Sequence, residues 1–175
     1  MRSKKFLTFF TIIILNIIIV ENSYSIQPDI FVQSTVNRAS QALNNKFSKE
    51  EKIQKLKDIA KETVDIRGIG FYTLGSYRKE LTKDQKKEYL ILFEKYFLKS
   101  FASRLAEYSN PEIEVNSKER LNENYTMVAS TLAATEQRPE VKIDWRIYTK
   151  DPENPLIRDL IIEGLSLART QKEEF

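Results

Sequence analysis

Cysteine and histidine are absent from this 175-residue chain, glycine occurs only 4 times and tryptophan once. Without cysteine there is no disulfide, no thiolate nucleophile, no cysteine metal site and no lipid-bearing N-terminal cysteine, so the fold must stand on its apolar core. Without histidine there is no imidazole for acid–base work or metal binding. An enzyme on this chain would have to run on carboxylates, Lys or Tyr alone. Apolar runs are also scarce: past residue 20 no segment is apolar enough to span a bilayer.

What is present begins with a basic start, Arg2, Lys4 and Lys5, followed by an apolar run from Phe6 to Val20 broken only by Thr8, Thr11 and Asn16. The segment Glu21-Asn-Ser-Tyr-Ser25 closes it with small residues at alternate positions. This is the pattern of a cleavable signal peptide covering residues 1–25, cut after Ser25. The run is shorter than the roughly 20 residues a membrane-spanning helix needs. Export is expected, with residues 26–175 as a single domain able to bury about two-thirds of its unfolded surface. Removing residues 1–25 takes away three positive charges and one negative, leaving 25 against 24. The basic balance therefore resides mostly in the leader. No basic stripe remains for nucleic acid, and none is expected as a partner.

Four helices precede the strands. Pro28 and Asp29 suit a first turn, and Ile30, Val32, Val36, Ala39 and Leu43 form an apolar face through about Asn44. Ser48-Lys-Glu-Glu51 is a capping box, opening a helix with Ile53, Leu56, Ile59, Ala60 and Val64 inward. Gly68, Gly70 and Gly75 punctuate a short third helix or turn over Ile69–Leu74. Thr82-Lys-Asp-Gln85 is a second capping box, and its helix is expected to run to about Tyr108, roughly 40 Å. Asn110-Pro111 stops it. Four strands follow: 112–117, 125–135, 141–148 and 156–163. The cleanest is 141–148, with Val141, Ile143, Trp145 and Ile147 on one face and Lys142, Asp144, Arg146 and Tyr148 on the other. The last, within Arg158-Asp-Leu-Ile-Ile-Glu-Gly-Leu-Ser-Leu167, stops at Gly164 and is expected to turn straight into a helix with Ser166 in its first turn. Prolines at 139, 152 and 155 mark the turns of antiparallel hairpins. The expected class is α+β, with N-terminal helices packed on one face of a curved antiparallel four-stranded sheet.

The long helix carries more apolar surface than one packing seam needs. Tyr89, Leu90, Leu92, Phe93, Tyr96, Phe97, Phe101, Leu105 and Tyr108 exceed the usual stripe of about 100°. Facing them are Val128, Leu132, Ile143, Trp145 and Ile147 of the sheet, with Leu160 and Ile162 of the last strand and Phe71, Tyr72 and Leu74 as a third wall. Ordinary core packing accounts for any one of these residues. Together they fit an apolar cavity for a ligand, a site type with few polar groups that suits a chain poor in catalytic side chains. The candidate lining is Phe71, Leu74, Phe93, Phe97, Phe101, Val128, Leu132, Ile143, Trp145, Ile147, Leu160 and Ile162. The rival reading is an enzyme on a similar cone-shaped scaffold, using a buried carboxylate on an apolar substrate. The missing histidine, and the lack of a carboxylate pair at helical spacing in the apolar region, count against it. Neither catalytic nor metal-binding residues are assigned. Glu163 is expected to pair with Arg67, Arg78 or Arg169, and Tyr77 and Arg78 to pack under the long helix.

Several collinear segments resemble the MlaC family of periplasmic phospholipid-binding proteins, also called the toluene-tolerance family. They are Val64-Asp-Ile-Arg67, Leu74-Gly-Ser-Tyr-Arg78, Leu81-Thr-Lys-Asp-Gln85, the aromatic helix from Phe93 to Leu105-Ala-Glu-Tyr108, Val141-Lys-Ile-Asp-Trp-Arg146 and the run from Arg158 to Leu167. They cover roughly residues 50–175, and residues 26–47 match only as a helix. The resemblance implies a monomeric carrier that holds phospholipid acyl chains between sheet and helices. It implies transfer of lipid between an outer-membrane lipoprotein complex and an inner-membrane ABC transporter with an MCE-domain subunit, which maintains outer-membrane lipid asymmetry. No cofactor is implied. Family members continue past the position of Phe175 with a further helical segment, so this domain is expected to be short at its C-terminus and wider at its mouth.

Overall fold

The computed structural model describes residues 25–136 and 138–174. The expected signal peptide lies outside the described residues, except for Ser25. Five α-helices are described: α1 (Pro28–Ala42), α2 (Lys49–Thr63), α3 (Ile66–Thr73), α4 (Lys83–Leu105) and α5 (Leu167–Glu174). A 3-10 turn, Gly75–Lys79, links α3 to α4. Between α4 and α5 run β1 (Ile113–Arg120), β2 (Tyr125–Leu132), β3 (Val141–Tyr148), β4 (Leu156–Ile162) and β5 (Leu165–Ser166).

Local chemistry sets the helix ends. The Ser48 hydroxyl accepts the Glu51 amide at 3.2 Å while the Ser48 amide donates to Glu51 Oε2 at 2.8 Å. Thr82 and Gln85 repeat the arrangement at α4. Both reciprocal caps satisfy amide donors that the first helical turn leaves without partners. Pro28 occupies the first turn of α1, where its missing N–H matters least. α4 ends at Leu105, ahead of the expected Tyr108, and at 23 residues it is about 35 Å long.

The sheet is an antiparallel meander in the order β1-β2-β3-β4-β5. Val128 lies opposite Trp145, which lies opposite Leu160, and Ser130, Ile143 and Ile162 form the next such row. Thr126, Val128, Ser130 and Leu132 of β2 are buried, as are Ile143, Trp145 and Ile147 of β3, so both central strands bury alternate residues. Register shifts at Val115/Ser117 and Arg146/Ile147 bend the sheet around the helices.

The α+β class with helices over a curved antiparallel sheet is the one expected, but the sheet has five strands and not four. Glu163 (φ 49°) and Gly164 (φ 81°) both take left-handed conformations and reverse the chain in two residues, as a primed hairpin turn requires. Leu165 and Ser166 then pair back on Ile162 and Ile161 as β5 before α5 starts. The glycine is therefore a hairpin signal, and Ser166 sits just before the helix, its hydroxyl accepting the Arg169 amide at 3.1 Å. The third helix also starts earlier than expected. Asp65 caps it through the Gly68 amide at 2.7 Å.

The helices do not all touch the sheet. α1 packs on β1 and β2, α3 and α5 pack on β4, and α4 rests on α2 and α3 rather than on strands. One apolar cluster joins the sheet's inner face to Val32 and Val36 of α1. A second binds α1, α2 and the end of α4 through Leu43, Leu56 and Ala102. A third joins α3 to the middle of α4 through Ile69, Phe93 and Leu98. Between the helix clusters and the sheet cluster a space is left.

Candidate functional site: an apolar slot under the helix layer

That space is a cavity of about 190 Å³. Leu132, Ile143, Trp145, Leu160 and Ile162 form its floor on the sheet. Phe97, Phe101 and Leu105 of α4 form the roof, and Val36 and Ala39 of α1 and Leu43 just past its end, with Leu56, Ile59 and Ala60 of α2, form one wall. Leu167, Ala168 and Gln171 of α5 close the side next to β4.

The roof is built by helical spacing. Tyr89, Phe93, Phe97 and Phe101 recur every four residues, and their rings stack with centroids 6.0, 6.1 and 5.4 Å apart. Because α4 is held from the side by α2 and α3, the lower half of this ladder is free to face the cavity. The upper half is not: Phe93 is 2% exposed and packs on α3.

Seven of the twelve residues proposed from sequence line the slot: Phe97, Phe101, Leu132, Ile143, Trp145, Leu160 and Ile162. The other five sit elsewhere. Val128 and Ile147 are fully buried in the sheet cluster, where α1 lies directly on the strands and leaves no gap. Leu74 is buried at the end of α3, and Phe71 faces a separate groove between α3 and α4, under the Arg67 guanidinium at 5.4 Å. The wall from α1 and α2 was legible as the inward faces of two amphipathic helices, but nothing in their spacing distinguishes a lined slot from filled core.

Polar groups at the slot are few, and the buried ones are hydrogen-bonded within the protein. Trp145 donates its indole N–H to Ser130 Oγ at 2.7 Å, and Ser130 donates onward to the Ile143 carbonyl at 3.1 Å. Among the described residues lining the slot, Asp159 is the one carboxylate, and it is 4% exposed. Its Oδ2 accepts the Ser166 hydroxyl at 2.6 Å and its Oδ1 accepts the Ala168 amide at 2.9 Å. Arg146 lies 4.0 Å away. Asp159 thus pins β5 and the start of α5 to β4. Among the described residues no cluster of carboxylates could hold a metal ion.

The other polar residues of the Arg158–Leu167 run have structural posts. Arg158 Nη2 pairs with Asp65 Oδ2 at 2.5 Å and its guanidinium lies 4.7 Å from the Tyr148 ring centre. The Asp65 amide donates to the Ile157 carbonyl at 2.9 Å, so the Val64–Arg67 segment docks on β4. A Cβ at Gly68 would sit 2.7 Å from Arg158 Cζ and closer still to Asp65 Oδ2, so a side chain there would have to displace this ion pair. Glu163 does not pair with an arginine as expected. Its carboxylate accepts the Lys142 amide at 2.5 Å, because the left-handed turn folds it back over β3. Tyr77 and Arg78 are exposed on the 3-10 turn rather than packed under α4.

A helical layer over an antiparallel sheet, with a slot lined mostly by hydrocarbon, has the architecture of a container for an apolar ligand. The chain matches the family profile described as MlaC protein over residues 33–175, and it belongs to that family. The match reaches further toward the N-terminus than the motifs do, taking in most of α1. Among solved structures, the chain is similar to a phospholipid-binding protein from Ralstonia solanacearum determined in complex with a phospholipid. The TM-score is 0.70 at 18% identity, over 86% of each chain, a likeness of fold.

Proposed function

We propose that this protein is a phospholipid carrier and that the slot receives acyl chains. The observation that carries the reading is the slot itself, with hydrocarbon on floor, roof and walls and its buried polar groups, the Trp145 indole and the Asp159 carboxylate, hydrogen-bonded within the protein. Each methylene withdrawn from water is worth about 0.8 kcal/mol. A chain of about fifteen methylenes then gains roughly 12 kcal/mol, against an association cost of about 4–15 kcal/mol. One acyl chain barely holds, and two hold firmly. At about 190 Å³ the slot is smaller than the roughly 300–1,000 Å³ typical of ligand sites, so loading must lift helices from the sheet.

The family membership and the lipid-bound structural neighbour support the wider reading. Residues 26–175 would form the mature carrier, released into the periplasm by cleavage after Ser25. It would act without enzymatic activity between an outer-membrane lipoprotein complex and an inner-membrane ABC transporter with an MCE-domain subunit, helping to maintain outer-membrane lipid asymmetry. Trp145 offers a direct test, since it is the chain's one tryptophan and lines the slot. Phospholipid brominated on its acyl chains should quench its emission saturably, at about one lipid per protein. Lipid brominated only at the headgroup should not. Equal quenching by both, or none by either, would remove acyl chains from the slot.

A further inference from the structure

A second concavity, of about 580 Å³, lies between α3 and the first half of α4 on the far side of α3 from the slot. Its character is opposite in part. Arg67, Lys83, Lys86 and Lys87 stand around it, with Glu94 as the one carboxylate among its lining residues. Its floor is apolar: Ile66, Phe71 and Leu90, with Ile91 at 48% exposure on the rim. Among the described residues no carboxylate lies within ion-pair distance of the three lysines. Lysines without a carboxylate partner, gathered with Arg67 over an apolar floor, are complementary to an amphiphile with an anionic head. Lysine binds phosphate as a compact point charge with three donors, and clusters of Lys and Arg attract anionic lipid surfaces.

We propose that this groove docks the protein on an anionic lipid bilayer, with the lysines and Arg67 at headgroup phosphates and Phe71, Leu90 and Ile91 against the glycerol and upper acyl region. The spacing favours this occupant, because Lys83, Lys86 and Lys87 fall within little more than one turn of α4 and converge on one edge of the groove. α3 turns Arg67 and Phe71 to the groove and Ile69 to the slot. A docked protein therefore holds its slot about one helix diameter, roughly 10 Å, from the headgroups. The docking does not depend on what the slot carries.

The test is sedimentation of the protein, produced from its full sequence, with vesicles of phosphatidylcholine alone or with about one-third phosphatidylglycerol. Each cationic residue near an anionic surface is worth about 1 kcal/mol, so the variant K83E/K86E/K87E should partition on the order of 100-fold more weakly. K49E/K61E/K150E makes the same change in net charge at exposed lysines elsewhere and should bind close to wild type. Raising the salt to about 1 M, where the Debye length falls to about 3 Å, should release the bound protein. The neutral variant K83Q/K86Q/K87Q should also lose binding, which keeps the test valid if charge reversal disturbs folding. The slot variant Leu132→Glu should sediment like wild type. Equal loss in groove and control variants would overturn the proposal, as would equal binding to neutral vesicles or loss in Leu132→Glu. Capture of a polyglutamate peptide without vesicle binding would also overturn it, in favour of a protein partner.

Discussion

Ser130 illustrates how narrow the polar tolerance of this interior is. At 2% exposure it is the acceptor for the Trp145 indole and a donor to Ile143. Ser130→Ala should leave that indole N–H without a partner and destabilise the protein by about 1–3 kcal/mol in a denaturant titration, with a shift in tryptophan emission. Asp65 combines two tasks, capping α3 and neutralising Arg158. Loss of a cap alone costs about 1 kcal/mol, so Asp65→Ala should cost more than that, since it also strands a half-buried guanidinium. A loss equal to an ordinary cap would show that Arg158 finds water instead. Asp29 gives a pH signature. Its hydrogen bond with Lys118, at 2.7 Å, holds its carboxyl below the ordinary 3.8, burial opposing. A depressed folded pKa adds stability that is complete above pH 3.8 and fades as pH falls through the lower folded value. Lys118→Met should flatten that acid limb and leave stability near pH 7 within about 1 kcal/mol, because the pair is partly solvated.

At the scale of elements, the meander and both capped helices were legible because their signals are local. Ser48–Glu51 and Thr82–Gln85 need only their own turn, and the alternation in Val141–Tyr148 needs only one buried sheet face. The extra strand was not legible in the same way. Ile162, Glu163, Gly164 and Leu165 read equally as a strand running into a helix, and the choice rests on a left-handed Glu163 that the Lys142 contact holds in place. The fate of α5 is likewise tertiary, since no residue of this polar helix is buried and Asp159 supplies its anchor. Asp159→Ala should therefore raise amide exchange across residues 167–174 well before it affects β2 and β3. Uniform exchange throughout the sheet would mean that α5 is not a separable unit.

For the whole molecule, the sequence could not tell a hollow interior from a filled one. Phe93, Phe97 and Phe101 share one helical row, yet Phe93 is packed on α3 while the next two roof the slot. Val128 and Trp145 are paired across neighbouring strands, yet α1 covers the first and the slot opens over the second. What decides is where α4 is held, a long-range property of helix packing and not of any residue's type. The resulting prediction separates the two roles. A charged residue at Phe97 or Leu132, in the slot, should abolish lipid binding with a modest fall in stability. The same change at fully buried Val128 should unfold the protein.

The most direct test is native mass spectrometry of the protein purified from a bacterial periplasm without detergent. The account predicts an added mass of one diacyl phospholipid per chain, released on denaturation and recovered in the organic extract. It also predicts that Leu132→Glu, still folded, carries none. A bare mass from a cooperatively melting wild-type sample would contradict it.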